Sequence, residues 1–502
     1  MQSKNFSELW KNLNWKKIRQ VVFRLQIRLF KAMKAGDSAR VRNLQNLILR
    51  SRCARLLAIR QVTQLNAGKK TAGIDGVKSL NHKQRFELEE TLAKHTFKWK
   101  HSKLRKIPIP KKDGTKRTLK VPTIADRAWQ CLVKYALEPA HEAEFHERSY
   151  GFRPGRSVHD CQKIIFNNLR SYCKGHEKRI LELDIEKCFD RIDHKALIKR
   201  VIAPAKIKQR IWQSLKAGAS VNFPDKGTPQ GGVFSPLLAN IALNGIETIH
   251  TSVRYADDMV FILKPKDNAS VIRSKIDKFL ATRGLKVKER KTRLVHSIDG
   301  FDFLGWHVKV QTNGKFRCVP SEENFLNFRQ KVKKIVNSSN YGAKVKAKKL
   351  APIVRGWRNY HQYCKMDGSR HSLYFIQNRA WKVFNKEAKQ NRHTVDKLIP
   401  QAFPAVPYSE NKHVNVKGDF SPFNGDVVYW SKRNSKIYDG ATAKVLKKQD
   451  LNCGYCGLKF IDEERVHLHH IDGNHDNWRA KNLLAVHESC HDYIHMSKGV
   501  KP

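Results

Sequence analysis

Two adjacent carboxylates interrupt an apolar run at Val253-Arg-Tyr-Ala-Asp257-Asp258-Met-Val-Phe-Ile-Leu263. The β-prone residues on both sides predict a hairpin whose turn carries the acidic pair. Carboxylates pinned side by side repel each other unless a divalent cation neutralises them. A second apolar run, Ile180 to Ile185, places Asp184 at its end, just before a helix start. Three carboxylates meeting at one sheet edge are a ligand set for two Mg2+ ions. Such a pair serves in-line phosphoryl transfer, one ion activating a 3′-hydroxyl and the other stabilising the leaving pyrophosphate. Mg2+ suits the task because it keeps waters and bridges carboxylates to phosphates.

A different chemistry is spaced along the C-terminal end. Cys453-Gly-Tyr-Cys456 and His487-Glu-Ser-Cys490 form two ligand pairs with zinc-site spacing. Three cysteines and one histidine close a tetrahedral Zn2+ site, which is a structural site rather than a catalytic one. Beside them stand His467, His469, His470, His491 and His495, with Asn482. Imidazoles at this density serve as metal ligands or bases. The other cysteines, Cys53, Cys131, Cys161, Cys173, Cys188, Cys318 and Cys364, are scattered singly, as buried small apolar residues are.

These side chains need elements to hold them. Residues 1–70 read as basic amphipathic helix, with Val21, Val22, Leu25, Leu29 and Phe30 on one face, and the Gly-rich stretch Asn66 to Gly76 reads as a loop. Between about 100 and 310, short β-branched segments alternate with helical patterns, which predicts an α/β or α+β domain. Basic amphipathic helices return over 321–400, for example Phe325 to Val336 and Ala343 to Trp357. Pro400, Pro404, Pro407 and Pro422 mark 400–435 as a linker or irregular module.

The chain has 502 residues, with 98 Lys and Arg against 45 Asp and Glu, a net charge of +53. A hydrophobic share of 40% supports packed cores and excludes a wholly disordered basic tail. Solubility alone needs a net charge of only about 2–8 in a small domain, so this excess predicts a polyanionic partner, nucleic acid by default. No apolar stretch approaches the roughly 20 residues of a membrane span. The N-terminus lacks an apolar signal core, so a soluble internal protein is expected, in the bacterial cytosol or an organelle, with no membrane partner. That setting favours zinc over disulfides at the clustered cysteines.

The acidic hairpin has company in a fixed order. Leu104-Arg-Lys-Ile-Pro-Ile-Pro-Lys-Lys-Asp-Gly-Thr-Lys-Arg-Thr-Leu-Lys-Val-Pro-Thr-Ile-Ala-Asp-Arg127 comes first. Ser149-Tyr-Gly-Phe-Arg-Pro-Gly-Arg-Ser157, Gly227-Thr-Pro-Gln-Gly-Gly-Val-Phe-Ser-Pro-Leu-Leu238 and Phe303-Leu-Gly-Trp306 complete the set. Together with Tyr255-Ala-Asp-Asp258 and Asp184, these blocks resemble group II intron-encoded proteins, which combine reverse transcriptase and maturase activities. The resemblance covers roughly residues 10 to 500.

The resemblance implies a right-hand polymerase of fingers, palm and thumb, an α+β multidomain chain. It makes Asp184, Asp257 and Asp258 the catalytic metal ligands, and puts Lys111 and Arg117 against the incoming deoxynucleoside triphosphate. Phe189 matches the aromatic gate against a ribose 2′-hydroxyl, with simple core packing as its alternative. Gln230 would lie against the templating pair, and Phe303, Leu304 and Gly305 match the primer grip. The run Arg355-Gly-Trp-Arg-Asn-Tyr360 suits phosphate pairing and base stacking on RNA, or else buries Trp357 and Tyr360 at helical spacing.

The order His469-His470, Asn482-Leu-Leu and Cys490-His-x-x-x-His495 resembles an HNH nuclease of the small ββα-metal type. That resemblance makes His470 the general base and gives His469, His491 and His495 a catalytic divalent ion. Asn482 would fix the loop orienting His470. Many such modules carry cysteine where His487 stands, and histidine still ligates zinc. Expected divisions are an N-terminal helical extension (1–80), fingers and palm (81–312), thumb or maturase segment (313–400), linker and DNA-binding segment (401–445) and HNH module (446–502). The implied function is binding and splicing of an intron RNA, nicking of a target DNA and copying of the RNA into it. The alternatives are chiefly an RNA-binding splicing cofactor, or a reverse transcriptase of another bacterial class.

Overall fold

The structure, a computed structural model, describes residues 5–110, 114, 116–219, 223–366, 371–388, 391–426, 428–430, 433, 440–457, 460, 466–475 and 477–497. Helices α1 (Phe6–Lys11), α2 (Trp15–Lys34), α3 (Ser38–Arg50) and α4 (Arg52–Arg60) open the chain. Asn5, Asn14, Asp37 and Ser51 start them, each side chain accepting from first-turn N–H groups. Of the stripe read from the sequence, Val22, Leu25, Leu29 and Phe30 lie inside, while Val21 sits half-buried at its edge. After α5 (His82–His95) comes the hairpin of β1 (Arg105–Pro110) and β2 (Lys116–Val121). Then α6 (Ile124–Glu142) runs buried along most of its length, with α2, α3 and α4 packed against it.

The central sheet follows through α7 (Val158–Leu169), β3 (Arg179–Leu183), α8 (Cys188–Arg191), α9 (His194–Arg200), α10 (Ala205–Gly218), α11 (Ser235–Leu243), β4 (Ser252–Tyr255), β5 (Asp258–Leu263), α12 (Ala269–Ala281) and β6 (Arg293–His296). Its strand order is β4-β5-β3-β6, antiparallel throughout. Leu181, Leu183, Met259, Phe261 and Leu263 point into a core shared with the N-terminal helices and α6. Ile180, Val253, Val260 and Ile262 point the other way, into a core closed by β7 (Phe301–Phe303), β8 (Trp306–Val310) and β9 (Phe316–Pro320). Alternate side chains leave a strand on opposite faces, so burial of both faces is why β3 and β5 read as nearly continuous apolar runs. A one-residue slip would exchange the two sets, which pins the register and with it the acidic turn.

Helices α13 (Glu322–Val336), α14 (Ala343–Tyr360), α15 (Tyr374–Glu387) and α16 (Arg392–Ala402) enclose a core of their own. Here the open reading of Arg355–Tyr360 resolves. Trp357 stacks on Phe328 with centroids 4.5 Å apart, and its indole N–H donates to Asn324 Oδ1 at 2.9 Å. Tyr360 stacks on Trp306 at 5.2 Å and donates its hydroxyl to the Leu304 carbonyl at 2.6 Å. Arg358 is buried against the carbonyls of Phe403 and Pro404, so within this run the exposed guanidinium is that of Arg355.

Pro400 lies inside α16, so the irregular stretch begins at Phe403; its described residues are not a loose linker. Lys163 Nζ donates to the Asn411 carbonyl at 2.6 Å, and Arg156 to those of Gly418 and Phe420. Phe423 packs with Phe30 and Ala143. The stretch therefore straps α7, α6 and α2 together. Beyond it, α17 (Gly440–Lys448), β10 (Val466–His470), β11 (Leu483–His487) and α18 (Glu488–Ser497) form a small unit with its own core. Among the described residues, no helix is long and apolar enough to cross a membrane.

Candidate active site and metal-binding groups

The acidic turn is held by its backbone and by one buried cation. Tyr255 pairs with Asp258 across the turn, and Ala256 takes a left-handed φ of 59°. Arg254, fully buried in the short strand β4, spends its guanidinium on four partners. It donates to Glu247 Oε1 at 2.6 Å, Asn240 Oδ1 at 2.9 Å, the Ala256 carbonyl at 3.0 Å and Ser149 Oγ at 2.7 Å. A buried charge is tolerated when it is paired and its donors are used, and this one anchors the turn by the carbonyl between Tyr255 and Asp257. Gly151 approaches so closely that a Cβ there would lie 2.4 Å from the Ala256 nitrogen. The sequence reading missed Arg254, Glu247, Asn240 and Ser149; an arginine between Val253 and Tyr255 in the short strand leading to the acidic pair was the available signal.

Asp184 follows β3 directly, and the pairing of Leu183 with Met259 sets it beside the turn. Lys291 Nζ lies 3.1 Å from Asp184 Oδ2. Shielding from water, then the charges of Asp257 and Asp184, push the Asp258 carboxyl up to about 6. Asp257 is raised as well, first by burial and then by Asp184. Mutual repulsion of this kind is what a divalent cation relieves, so the donor set fits Mg2+. Among the described residues, however, sets of three or more candidate ligand atoms within 4.8 Å of one another occur only in the C-terminal unit. The three acids act on each other through space at wider spacing.

Arg117 acts on Asp257, and hydrogen bonds tie it to Gln230, whose turn reaches Phe189. The Arg117 Nε–H donates to the Gln230 side-chain oxygen, and the Lys120 N–H donates to the Gln230 carbonyl at 2.8 Å. Gly231, at φ 122°, lets this contact form, since a Cβ would lie 2.9 Å from the Lys120 carbonyl. The Thr228 N–H donates to the Phe189 carbonyl at 2.6 Å, tying α8 to the same turn. Phe189 is half-buried, one part of its surface packed on the core. Arg117 also pulls on Asp257, acting to lower its carboxyl. Lys111 lies outside the described residues. Phe303, Leu304 and Gly305 form the turn between β7 and β8, with φ of 51° at Leu304 and 79° at Gly305.

In the C-terminal unit Cys453, Cys456, His487 and Cys490 come together with their ligand atoms within 4.8 Å. Cys456 Sγ is 3.3 Å from His487 Nδ1, and Cys490 Sγ is 3.8 Å from it. Hydrogen bonds from Cys456 and Cys490 draw the Cys453 thiol down, which suits a thiolate ligand. His469, His491 and His495 make a second group, with the Nε2 atoms of His491 and His495 3.3 Å apart. His467 rests its ring near His491 at 5.4 Å.

Strand alternation separates the neighbours His469 and His470. His470 is 5% exposed, meets the rings of His475 and Trp478, and has no hydrogen-bond partner for either ring nitrogen among the described residues. Asn482 fixes the loop beyond it, donating to Asp472 Oδ1 and the Asn477 carbonyl at 2.9 Å each and accepting from the Asp472 N–H. The spacing had not pointed to Trp478, which lies in the loop between His470 and Asn482.

Three family models match in sequence order. They describe an N-terminal domain of reverse transcriptase over residues 10–92 and a reverse transcriptase (RNA-dependent DNA polymerase) over 109–308. A group II intron, maturase-specific domain matches over 326–398. Maturase-like protein 1 of Euglena gracilis is 41% identical over 396 residues, covering 78% of this chain and 86% of that protein. Protein YkfC of Escherichia coli (strain K12) is 29% identical over 61% of this chain and 94% of its own length. Group II intron-encoded protein LtrA of Lactococcus lactis subsp. cremoris is 28% identical over 43% of this chain and 48% of its own. With the acidic hairpin seated on the matched polymerase segment and the maturase-specific helices behind it, this chain belongs to the family of group II intron maturases with a reverse transcriptase domain.

Proposed function

We propose that the protein is an RNA-directed DNA polymerase that binds its intron RNA, assists its splicing, and copies it into DNA at a site nicked by the C-terminal unit. The observation that supports the polymerase reading is the set of mutually repelling carboxylates Asp184, Asp257 and Asp258 at one end of the sheet, with Arg117 acting on Asp257 and hydrogen-bonded to Gln230. The three carboxylates would hold Mg2+, which when bound supplies charge neutralisation for phosphoryl transfer. Arg117 offsets the charge of the incoming triphosphate, and Gln230, fixed through Arg117 and Lys120, orients the nucleotide against the template. The Phe189 ring fills the space a 2′-hydroxyl would need. Primer extension on an RNA template tests this, with Asp257→Ala expected to yield no cDNA. Full-length product from that variant overturns the assignment.

The nuclease reading rests on the separation of two ligand groups in one small unit. Cys453, Cys456, His487 and Cys490 would hold structural Zn2+, and His469, His491 and His495 a second divalent ion that polarises the phosphodiester when bound. His470, buried and without a hydrogen-bond partner for either ring nitrogen among the described residues, takes a proton from the attacking water, and Asn482 keeps its loop in place. Cys456→Ser is expected to lose zinc, unfold residues from about 445 onward and abolish nicking of supercoiled DNA. His470→Ala should abolish nicking while zinc content and melting stay at wild-type values, and primer extension should survive both changes. A His470→Ala protein that loses zinc contradicts this division of roles.

The second reading, a splicing cofactor in which RNA binding dominates, is favoured by the maturase-specific match and the net charge of +53. It is compatible with the first.

A further inference from the structure

Phe152 is a bulky aromatic residue in a conformation that suits glycine. Its φ is 59°, its side chain is 47% exposed, and it belongs to none of the hydrophobic clusters. The chain on either side is locked. The Gly151 carbonyl accepts from Asn240 Nδ2 at 2.8 Å. The Arg153 guanidinium is buried, paired twice with Glu142 and donating to the carbonyls of His146 and Ser149. Rigid neighbours thus hold an exposed ring on strained backbone. Such strain persists where function offsets it, since glycine at 152 would be the more stable choice.

Its location says what the ring meets. Residues 148–150 add to the outer edge of β4, with the Tyr150 N–H donating to the Arg254 carbonyl and the Arg254 N–H to that of Arg148. Gly151 then abuts Ala256 inside the acidic turn. Across the sheet the order is 148–150, β4, β5, β3, and both Asp184 and Phe189 come off the end of β3. Phe152 and Phe189 therefore flank the acidic turn from opposite sides. The nucleotide-facing groups lie with Phe189, which leaves the Phe152 side to the other reactant, the primer paired with its RNA template.

We propose that Phe152 positions the RNA–DNA hybrid directly behind the reacting primer end, its ring against sugars and base edges of the minor groove. The wide, shallow minor groove of an A-like hybrid admits such a ring. A phenyl group makes no hydrogen-bond demand, so the contact is independent of template sequence. The inference rests on the polymerase reading.

The test uses the full chain with Phe152→Gly, Phe152→Leu and Phe152→Tyr. It measures affinity for a labelled RNA-template/DNA-primer hybrid, product length under a heparin trap, KM for dTTP at saturating hybrid, and thermal melting. Phe152→Gly should weaken hybrid binding about fivefold and shorten products. Its KM for dTTP should not change, and its melting should match or exceed wild type, because glycine takes this backbone without strain. Phe152→Tyr should restore binding, and Phe152→Leu should fall between. Wild-type affinity and product length in Phe152→Gly overturn the proposal, as does a defect confined to the KM for dTTP. Early melting of Phe152→Gly also overturns it, by marking the ring as structural. If wild type binds hybrid but extends no primer, the polymerase reading has failed, and Phe152 is still judged on hybrid affinity.

Discussion

Arg254 shows how much of the acidic turn's shape lies in residues outside the acidic pair. Its partners Glu247, Asn240 and Ser149 stand 7, 14 and 105 residues away in the chain, so no local pattern joins them. The acidic pair was legible because two carboxylates inside an apolar run are chemically anomalous. The clamp was not, because its meaning depends on which side chains the fold delivers. Arg254→Lys keeps the charge but offers one nitrogen where a fork served four acceptors. Buried groups left without partners should cost about 3 kcal/mol. We expect an earlier melt and primer extension reduced at least about tenfold, with Asp184, Asp257 and Asp258 all intact. Wild-type extension by this variant would show that the turn holds its shape unaided. His469 and His470 teach a similar lesson, since adjacent histidines separated by strand alternation were expected in different roles, and the strand sends them to different surroundings.

At the scale of elements, legibility followed periodicity. The stripe on α2 and the helices α13 and α14 repeat at about 3.6 residues and were readable, while the hairpin of β4 and β5 was legible from an acidic pair set between β-prone apolar runs. The same periodicity left Trp357 and Tyr360 ambiguous, because a buried stripe and a stacking platform look alike in one dimension. The strap over 403–433 has no period, so its docking was invisible. Asp160 at the start of α7 receives a hydrogen bond from His413 at 3.0 Å and the Arg433 guanidinium at 2.9 Å. Burial alone would raise this carboxyl, but His413 and Arg433 outweigh it and carry it down to about 2. A carboxyl depressed in the folded state stabilises above its unfolded value, near 3.8, and loses that contribution as pH falls toward the folded value. A shift of this size corresponds to about 2 kcal/mol. Comparing melts of wild type and Asp160→Asn should show a gap that is full at pH 6 and narrows below pH 4. A gap independent of pH would mean that the strap is held by its carbonyl contacts instead.

For the molecule as a whole, charge is the property that reaches furthest. With a net charge of +53, RNA binding should be driven largely by counterion release. Log affinity should fall linearly with log salt, with a slope of about −0.7 for each phosphate contact on single strands. Structured intron RNA should bind more tightly than unrelated RNA at every salt concentration, because shape recognition adds to the electrostatic footprint. A salt-insensitive affinity measured by filter binding would contradict that picture.

The core that runs from Trp10 to Val287 has a consequence for how the protein is made. Its N-terminal helices bury their apolar faces against partners, α6 and the segments up to Leu285 and Val287, that a ribosome has not yet produced when those helices emerge. At about 5–20 residues per second, the nascent chain would wait roughly 10 to 45 s before its first core closes. During that interval a strongly basic, partly apolar chain is exposed among polyanions. An RNA already at hand would shield it, and synthesis alongside its own transcript would supply one.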